Sequence, residues 1–191
     1  SIEYRNKGMH EESKKYLNKA LKIWTVMGDK EGMSTAYTNL GDLLFREKRN
    51  NEALDYYYKS LALRKETGNK LGISISLANL LAVKLDDKKY VEAEEYGIRS
   101  LSLAYEVKDL EGISLTNKSM SLLYEKTGRQ EKALLAYRDH IKARDSLRNA
   151  DVTVKTVKLE MDYEYEQKEN EANILQEKKD MISEQEHQKH N

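Results

Sequence analysis

The chain repeats itself every 40 residues, and this period constrains the fold more than any other feature of the sequence. Gly32, Gly72 and Gly112 lie 40 residues apart, each at the end of a short polar segment. Apolar and small residues keep the same period in further series: Leu40, Leu80 and Met120; Leu21, Leu61, Leu101 and Ile141; Ser13, Ala53, Ala93 and Ala133. A period of about 20–50 residues is typical of arrays in which each repeat buries its apolar face against its neighbours.

Each 40-residue unit contains two amphipathic helical patterns. Apolar residues within 33–44 recur at spacings of three and four, and a second pattern of this kind follows the polar residues 46–50. The 191 residues include no Pro, and the good helix formers Glu, Lys, Leu and Ala are abundant. The sequence therefore predicts an all-α protein with helices over 11–27, 31–48, 51–67, 71–86, 90–106, 111–127 and 130–146.

The ends of these helices carry their own signals. Asn50 or Asn51 is suited to cap the helix that follows the polar break, because a short side-chain amide oxygen can accept from a free backbone N–H. Gly68 stands where a helix is expected to end in the left-handed conformation.

The composition excludes several classes of function. A chain without cysteine has no disulfide, no iron–sulfur cluster, no thiolate zinc site and no cysteine nucleophile. These residues contain no run of about 18 apolar residues, so the sequence predicts no membrane span within them. The 33 basic and 33 acidic residues cancel, which argues against a role in binding nucleic acid.

The segment over residues 36–61 resembles a tetratricopeptide repeat. In that family a Leu-Gly pair lies midway along the first helix, and a small residue, a large aromatic and another small residue follow on the second. These places are filled here by Leu40, Gly41, Ala53, Tyr57 and Ser60. We expect Gly41 to let the paired helix approach, Ala53 to mark the closest crossing and Tyr57 to fill the space between neighbouring repeats.

The resemblance implies an α-solenoid of helix pairs. The expected organisation is an array over 1–149, with a half repeat at 1–27 and repeats at 28–67, 68–107 and 108–147. Residues 4–27 align with the second half of a unit, so a helix upstream of this sequence is expected. The family's usual Pro is replaced by Lys65, Tyr105 and Asp145, which fits second helices that continue beyond the usual length.

Residues 150–191 predict one long charged helix, because the 40-residue period stops and neither Gly nor Pro occurs. Its apolar residues have mostly three- and four-residue spacing and form an imperfect heptad seam for a coiled coil or juxtamembrane linker: Val154, Val157, Met161, Tyr165, Ala172, Leu175 and Ile182. Lys168 and Lys179 interrupt the seam. A helix of this kind needs the array or a second chain to cover its apolar side.

A second resemblance concerns the residues that join the array to this helix. The segments 145–147, 161–168 and 176–180 resemble the junction in bacterial membrane-anchored sensors, where a tetratricopeptide array precedes a charged helix, a membrane span and an output domain such as a histidine kinase. The resemblance implies an array on the outer side of the cytoplasmic membrane. The implied function is a non-enzymatic sensor that binds proteins or peptides and forms a homodimer through the C-terminal helix.

No group of residues predicts catalysis, a metal site or a cofactor. His187 and His190 lie three residues apart in a polar tail, where a solvated helix end is the simpler interpretation. His10 falls in an expected turn and His140 at a packing position. The glycines match no phosphate-binding motif, and adjacent carboxylates such as Glu94 and Glu95 point about 100° apart on a helix.

Partner binding is the better prediction. In the tetratricopeptide family the first helix of each repeat lines a concave groove, and the equivalent residues here are Thr35, Thr38, Asp42, Phe45, Arg46, Ile75, Ala78, Asn79, Ala82, Leu115, Lys118, Ser119 and Leu122. Phe45 is the strongest contact candidate, with packing between repeats as the alternative. Trp24 is expected to pack on an upstream repeat, and Tyr16, Tyr56 and Tyr96 to belong to the core.

Two hypotheses follow for the whole protein. The first is the membrane-anchored sensor. The second is a cytoplasmic adaptor or peptide-responsive regulator with no membrane span. The charge is divided unequally along the chain: residues 1–159 carry 29 basic and 23 acidic side chains, whereas residues 160–191 carry 4 and 10. We therefore expect the array and the tail to attract each other, within one chain or between two.

Overall fold

The computed structural model describes residues 2–155, 158 and 161, and the chain divides into two units, Ser1–Asp145 and Ser146–Asn191. The first unit consists of helices α1 (Ile2–Met27), α2 (Lys30–Arg46), α3 (Asn50–Glu66), α4 (Lys70–Asp86), α5 (Tyr90–Glu106), α6 (Leu110–Lys126) and α7 (130–145). In the second unit, residues 146–155 are helical. Within the described ranges there is no strand, and the all-α repeat fold with 40-residue helix pairs is confirmed.

Helices α2 to α6 each have 17 residues, so that the structural period is 20 residues for each helix. Every link passes through one residue with a positive φ angle, in this order along the chain: Gly28, Lys48, Gly68, Lys88, Lys108 and Gly128. After α2, the Lys48 and Arg49 N–H groups donate to the carbonyls of Phe45 (3.0 Å) and Leu44 (2.9 Å). This paired hydrogen bonding is the Schellman motif, which requires a left-handed residue.

The start of α3 differs from the prediction. The residue before α3 is Arg49, whose side chain makes no capping hydrogen bond, so the expected cap from Asn50 or Asn51 is wrong. Asn50 lies inside the first turn instead, and its amide donates to Asp86 and Asp87 of the next repeat. By contrast, Asp29 caps α2 by accepting from the amides of residues 31 and 32.

Helix α1 begins nine residues earlier than predicted. The sequence places its start at residue 11 and His10 in a turn, whereas the structure continues the helix from Ile2 through His10. Gly8 lies one 20-residue period before Gly28, at the place where all the later links turn. The helix runs straight through Gly8, because a glycine permits a turn but does not impose one.

The core lies between successive helices. Leu44 of α2, Tyr57 of α3 and Leu77 of α4 belong to one buried cluster, which shows that Tyr57 fills the space between repeats as expected. A second cluster contains Leu81 and Ala93 of the repeat 68–107 and Met120 of the repeat 108–147, among others. Burial of such side chains contributes about 25 cal/mol for each Å² of apolar surface removed from water.

For the aromatic residues, the structure corrects the expectation for Tyr16 and adds a contact for Trp24. Tyr16 is 60% exposed and is therefore not a core residue, whereas Tyr56 and Tyr96 pack against the core clusters. The Trp24 ring packs on Gly32, where a Cβ atom would come within 2.6 Å of it. Trp24 thus contacts α2 of its own array, because Gly32 leaves room for the indole.

Candidate partner-binding groove

A groove between α4 and α6 is the main candidate for partner binding. The two helices contact each other and enclose a space of about 450 Å³. Its lining is Leu71, Ser74, Ile75, Ala78, Asn79, Ala82, Asp109, Glu111, Gly112, Leu115, Thr116 and Ser119. Small side chains on α4 leave the space open, and exposed apolar groups provide contact area, as in most ligand sites.

The structure brings six predicted groove residues together in this lining: Ile75, Ala78, Asn79, Ala82, Leu115 and Ser119. Leu115 is 57% exposed, so most of its side chain is available to a partner. Lys118 and Leu122 are exposed on α6 outside the lining, and Thr35 is exposed on α2. The repeat register therefore predicts residues that share one groove lining on α4 and α6.

Other predicted residues lie elsewhere. Thr38 is buried, with its hydroxyl 2.9 Å from the Ser60 hydroxyl, so it joins α2 to α3 and offers no open surface. Phe45 packs partly buried against the first core cluster, which is the alternative that the sequence left open. Asp42 and Arg46 line a different cavity, between α1 and α2.

Six lining residues were not predicted: Leu71, Ser74, Asp109, Glu111, Gly112 and Thr116. They lie on the first turns of α4 and α6 or deeper in the groove. Leu71 lies one helical turn before Ile75, so extending the predicted face by four residues would have found it. Asp109 is the residue before α6, and only the packing of α4 beside α6 brings it to the groove.

The floor of the groove is held by hydrogen bonds between helices. The Ser74 hydroxyl donates to the carbonyl of Ser100 (2.9 Å), and the Ser100 hydroxyl donates to the carbonyl of Ser74 (3.0 Å). The Thr116 hydroxyl lies 3.3 Å from that of Ser100 and extends the link to α6. Buried, mutually satisfied polar groups of this kind fix the helices relative to one another.

The cavity between α1 and α2 has a volume of about 520 Å³ and is lined by Ser13, Tyr16, Leu17, Ala20, Asn39, Asp42, Leu43 and Arg46. At its edge the Tyr57 hydroxyl donates to Asp42 Oδ1 at 2.6 Å. Burial raises the pKa of Asp42, although this hydrogen bond and the charges of Arg46 and Arg64 oppose the rise. Burial and the neighbouring carboxylate also raise the pKa of Tyr57.

Two of the predicted seam residues belong to the described part of the second unit. Val154 and Met161 are 67% and 65% exposed. The remaining seam residues lie outside the described residues: Val157, Tyr165, Ala172, Leu175 and Ile182. Of the histidines, His140 packs as expected, with its Nδ1 2.9 Å from the Ser114 hydroxyl, whereas His187 and His190 are outside the described range.

Among residues 2–155, 158 and 161, no three His, Cys, Asp or Glu side chains are grouped so that they could hold a metal ion. No helix in that same part of the chain combines the length and the apolar character needed to cross a membrane.

Comparison with known proteins supports the repeat family. No curated protein matches the chain. Among solved structures, the crystal structure of BtubC (BKLC) from P. vanneervenii is similar, with a TM-score of 0.65 and 18% sequence identity over 76% of this chain. The match spans only 60% of that protein's chain. Residues 3–66 match the tetratricopeptide repeat family, and the described chain has the tetratricopeptide-like helical repeat fold.

Proposed function

We propose that this chain is a non-enzymatic interaction domain that binds a protein or peptide in the α4–α6 groove. The observation that carries the proposal is the exposed apolar surface of the groove at Ile75 and Leu115, in a lining that also holds the small side chains of Ala78 and Ala82. Apolar surface that lies in a cleft with polar edges is typical of interaction sites.

The groove favours a particular kind of partner. Its volume accommodates a few side chains of an extended segment, and its lining is apolar along Ile75 and Leu115. Asp109 and Glu111 place two carboxylates at one end. A segment with apolar side chains and one basic group therefore fits best, because the base pairs with the acidic end while the apolar groups leave water.

A peptide selection tests this proposal. A phage-displayed peptide library is selected on the whole chain, and the enriched peptides are measured against Leu115→Asp and Ile98→Asp. Ile98 is 54% exposed on α5 and is absent from the groove lining, so it is a matched control. We expect at least tenfold weaker binding for Leu115→Asp, because a charge replaces an apolar contact, and unchanged binding for Ile98→Asp. Peptides that bind all three proteins equally would contradict the groove assignment.

We further propose that the domain is the sensory part of a membrane-anchored bacterial signalling protein, on the outer side of the cytoplasmic membrane. In this proposal the C-terminal helix carries the response to an output domain, such as a histidine kinase, as a parallel homodimer. Leu147, Val154 and Met161 support it, since they are exposed at seven-residue intervals, which is the spacing of a coiled-coil seam.

The gene sequence beyond residue 191 tests the membrane anchor. We expect an apolar segment of about 20 residues, long enough to span a bilayer, and then an output domain. A stop codon soon after residue 191 would favour the alternative, a cytoplasmic adaptor or peptide-responsive regulator. The groove proposal does not depend on this result, because the groove lies entirely within the array.

A further inference from the structure

One position of the repeat changes from a large side chain to a small one at the end of the α4–α6 groove. Arg64 lies over Gly72, where a Cβ atom would come within 2.6 Å of the arginine Cδ and 2.8 Å of its Nε. Ala104 holds the same position 40 residues later, with its Cβ 3.7 Å from the place of a Cβ on Gly112. The long side chain that covers Gly72 therefore has no equivalent at Gly112, which lines the groove.

The contacts of Arg64 show what this part of the repeat can bind. Its Nη1 donates to the carbonyl of Gly72 (2.8 Å) and to the hydroxyl of Ser76 (3.0 Å). The residues 40 positions later are Gly112 and Thr116, and both line the α4–α6 groove. The carbonyl and the hydroxyl that hold a guanidinium in one repeat therefore have counterparts that line an open groove in the next.

The surroundings of Arg64 correspond to the α4–α6 groove itself. Burial lowers the pKa of Arg64, and the charges of Glu31 and Asp42 on α2 oppose that effect. The counterparts of these two acidic residues on α4 are Leu71 and Ala82, which line the α4–α6 groove. A guanidinium placed at Gly112 as Arg64 is placed at Gly72 would therefore lie beside the groove lining.

The charge at this end of the groove changes together with the arginine. Beside Arg64, the start of α4 carries the neutral residues Asn69 and Leu71, whereas their counterparts at the start of α6 are Asp109 and Glu111. Both acidic residues line the groove. From one repeat to the next, the chain thus loses an internal cation and gains two carboxylates at equivalent positions, which leaves a place for a cation from outside.

The Asp109 carboxylate is not used to cap its own helix. Asp109 precedes α6 with φ −78° and ψ 91°, nearly the angles of Asp29 before α2, −76° and 91°. Asp29 accepts from the first N–H groups of α2, whereas Asp109 makes no capping hydrogen bond and its Oδ2 lies against Gly112. Within the described ranges, 2–155, 158 and 161, the Asp109 side chain has no hydrogen bond or ion pair. Its charge is therefore available at the place that corresponds to the Arg64 side chain.

We propose that the Gly112 end of the α4–α6 groove binds the guanidinium of an arginine in the partner segment. This assignment rests on the proposed function and specifies the basic group that the partner carries. The guanidinium donates to the Gly112 carbonyl and the Thr116 hydroxyl, in the manner of Arg64 one repeat earlier. It also pairs with the Asp109 carboxylate. Arginine fits better than lysine, because its planar group holds five N–H donors in a fixed arrangement that can reach several acceptors at once.

Arginine, lysine and citrulline versions of the same peptides test this assignment. The peptides are those selected on the whole chain whose binding Leu115→Asp weakens, and each of their basic residues is exchanged in turn. Citrulline keeps the shape of the arginine side chain and carries no charge. We expect one arginine in each peptide at which citrulline weakens binding at least tenfold and lysine at least threefold. Groove-binding peptides without such an arginine would overturn the proposal.

Two variants of the chain locate the arginine. Asp109→Asn removes the carboxylate at the Gly112 end, and Asp55→Asn removes one from an exposed position on α3. We expect the preference for arginine over citrulline to fall at least threefold on Asp109→Asn and to stay unchanged on Asp55→Asn. An equal preference on both variants would overturn the site assignment.

The site is also tested without any peptide, by an arginine within the chain. Ala104→Arg reproduces the residue type of Arg64 at the equivalent position, and Ala104→Met fills the same space without a charge. Asp109→Asn is then added to each. We expect it to lower the midpoint of thermal unfolding by about 2–4 °C in the Ala104→Arg protein, where it removes an ion pair, and not in the Ala104→Met protein. Equal shifts in the two proteins would overturn the proposal.

The two tests separate this assignment from the proposed function. If no selected peptide is weakened by Leu115→Asp, peptide binding in the groove fails, and the midpoints of the Ala104→Arg proteins still decide whether the site takes a guanidinium. If groove-binding peptides tolerate citrulline, the interaction role stands and the arginine site is overturned. The citrulline comparison needs only the original chain and Asp109→Asn, so it decides the matter even if Ala104→Arg does not fold.

Discussion

Gly41 of α2 lies directly against the ring of Tyr57 on α3. A Cβ atom at residue 41 would come within 2.6 Å of Cε1 and 2.8 Å of Cδ1 of that ring, closer than packed atoms approach. The ring cannot move away easily, because it is 2% exposed and its hydroxyl is held by Asp42. The absence of a side chain at residue 41 therefore sets the distance between these helices.

Gly41→Ala is predicted to lower the free energy of unfolding by about 1–3 kcal/mol, the usual cost of overpacking a core. Gly97→Ala makes the same change where the new Cβ meets the thioether of Met120. Met120 is also 2% exposed, but its side chain is flexible, so we expect a smaller loss than for Gly41→Ala, with the better helix propensity of alanine offsetting part of the crowding. Urea unfolding measures both variants. Equal losses would show that the rigidity of the Tyr57 ring is unimportant.

Lys108→Gly is predicted to stabilise the protein. Lys108 has a φ angle of 57°, a left-handed conformation that costs a residue with a Cβ atom about 1–2 kcal/mol relative to glycine. The greater freedom of glycine in the unfolded chain offsets part of this, so we expect a gain of about 0.5–1 kcal/mol. Gly68→Ala makes the opposite change at an equivalent link, where φ is 68°, and should destabilise. Thermal unfolding of the two variants should show shifts of opposite sign.

Asp42→Asn is predicted to stabilise the protein increasingly as the pH rises. Burial raises the pKa of Asp42 above its ordinary value of 3.8, so the folded state favours the protonated carboxyl. The stability contributed by Asp42 is therefore complete below the unfolded pKa and is lost as the pH rises through the folded pKa. An asparagine carbonyl can still accept from the Tyr57 hydroxyl and carries no charge.

The measurement is the unfolding free energy of both proteins from about pH 3 to pH 7, which spans the titration of a carboxyl group. Asp55→Asn removes a charge from an exposed position on α3 and corrects for the change in net charge. A difference between Asp42→Asn and the original protein that is independent of pH would show that burial of Asp42 has no energetic consequence.

Val154→Asp is predicted to abolish the homodimer proposed for the C-terminal helix. Val154 is 67% exposed in the described structure, and a carboxylate in a coiled-coil seam would leave water without a partner. Sedimentation equilibrium should give the mass of one chain, 22.2 kDa, for the variant and twice that mass for the original protein. Val91→Asp, at an exposed position of α5, should remain dimeric. A monomeric original protein would contradict the dimer itself.

The unequal distribution of charge between the array and the tail can also be tested. If the basic array and the acidic tail attract each other, separated pieces covering 1–149 and 150–191 should associate, and added salt should weaken the association. The reason is that the Debye length falls from about 10 Å at 0.1 M salt to about 3 Å at 1 M, which screens exposed charges. Association that does not respond to salt would contradict an electrostatic attraction.

Much of the candidate site follows from the repeat alone. Ile75 and Leu115 occupy the same place 40 residues apart, so assigning one to a helix face assigns the other. The repeat register could not show that Thr38, on the equivalent face of α2, is buried. Its burial depends on the packing of α3, where the Ser60 hydroxyl lies beside that of Thr38. Nor could the register bring Asp109 to the groove, since that position depends on how α4 lies beside α6.

The sequence by itself determined the order of the helices of the array and its period, because helix periodicity and the spacing of glycines and small residues are local properties. It marked the left-handed link at Gly68, which the structure has together with those at Gly28 and Gly128. Only the tertiary structure decided that Lys48, Lys88 and Lys108 adopt the same conformation and that Gly8 does not. The reason is that the packing of neighbouring helices can hold a lysine in an unfavourable conformation, whereas a glycine permits a turn without requiring one.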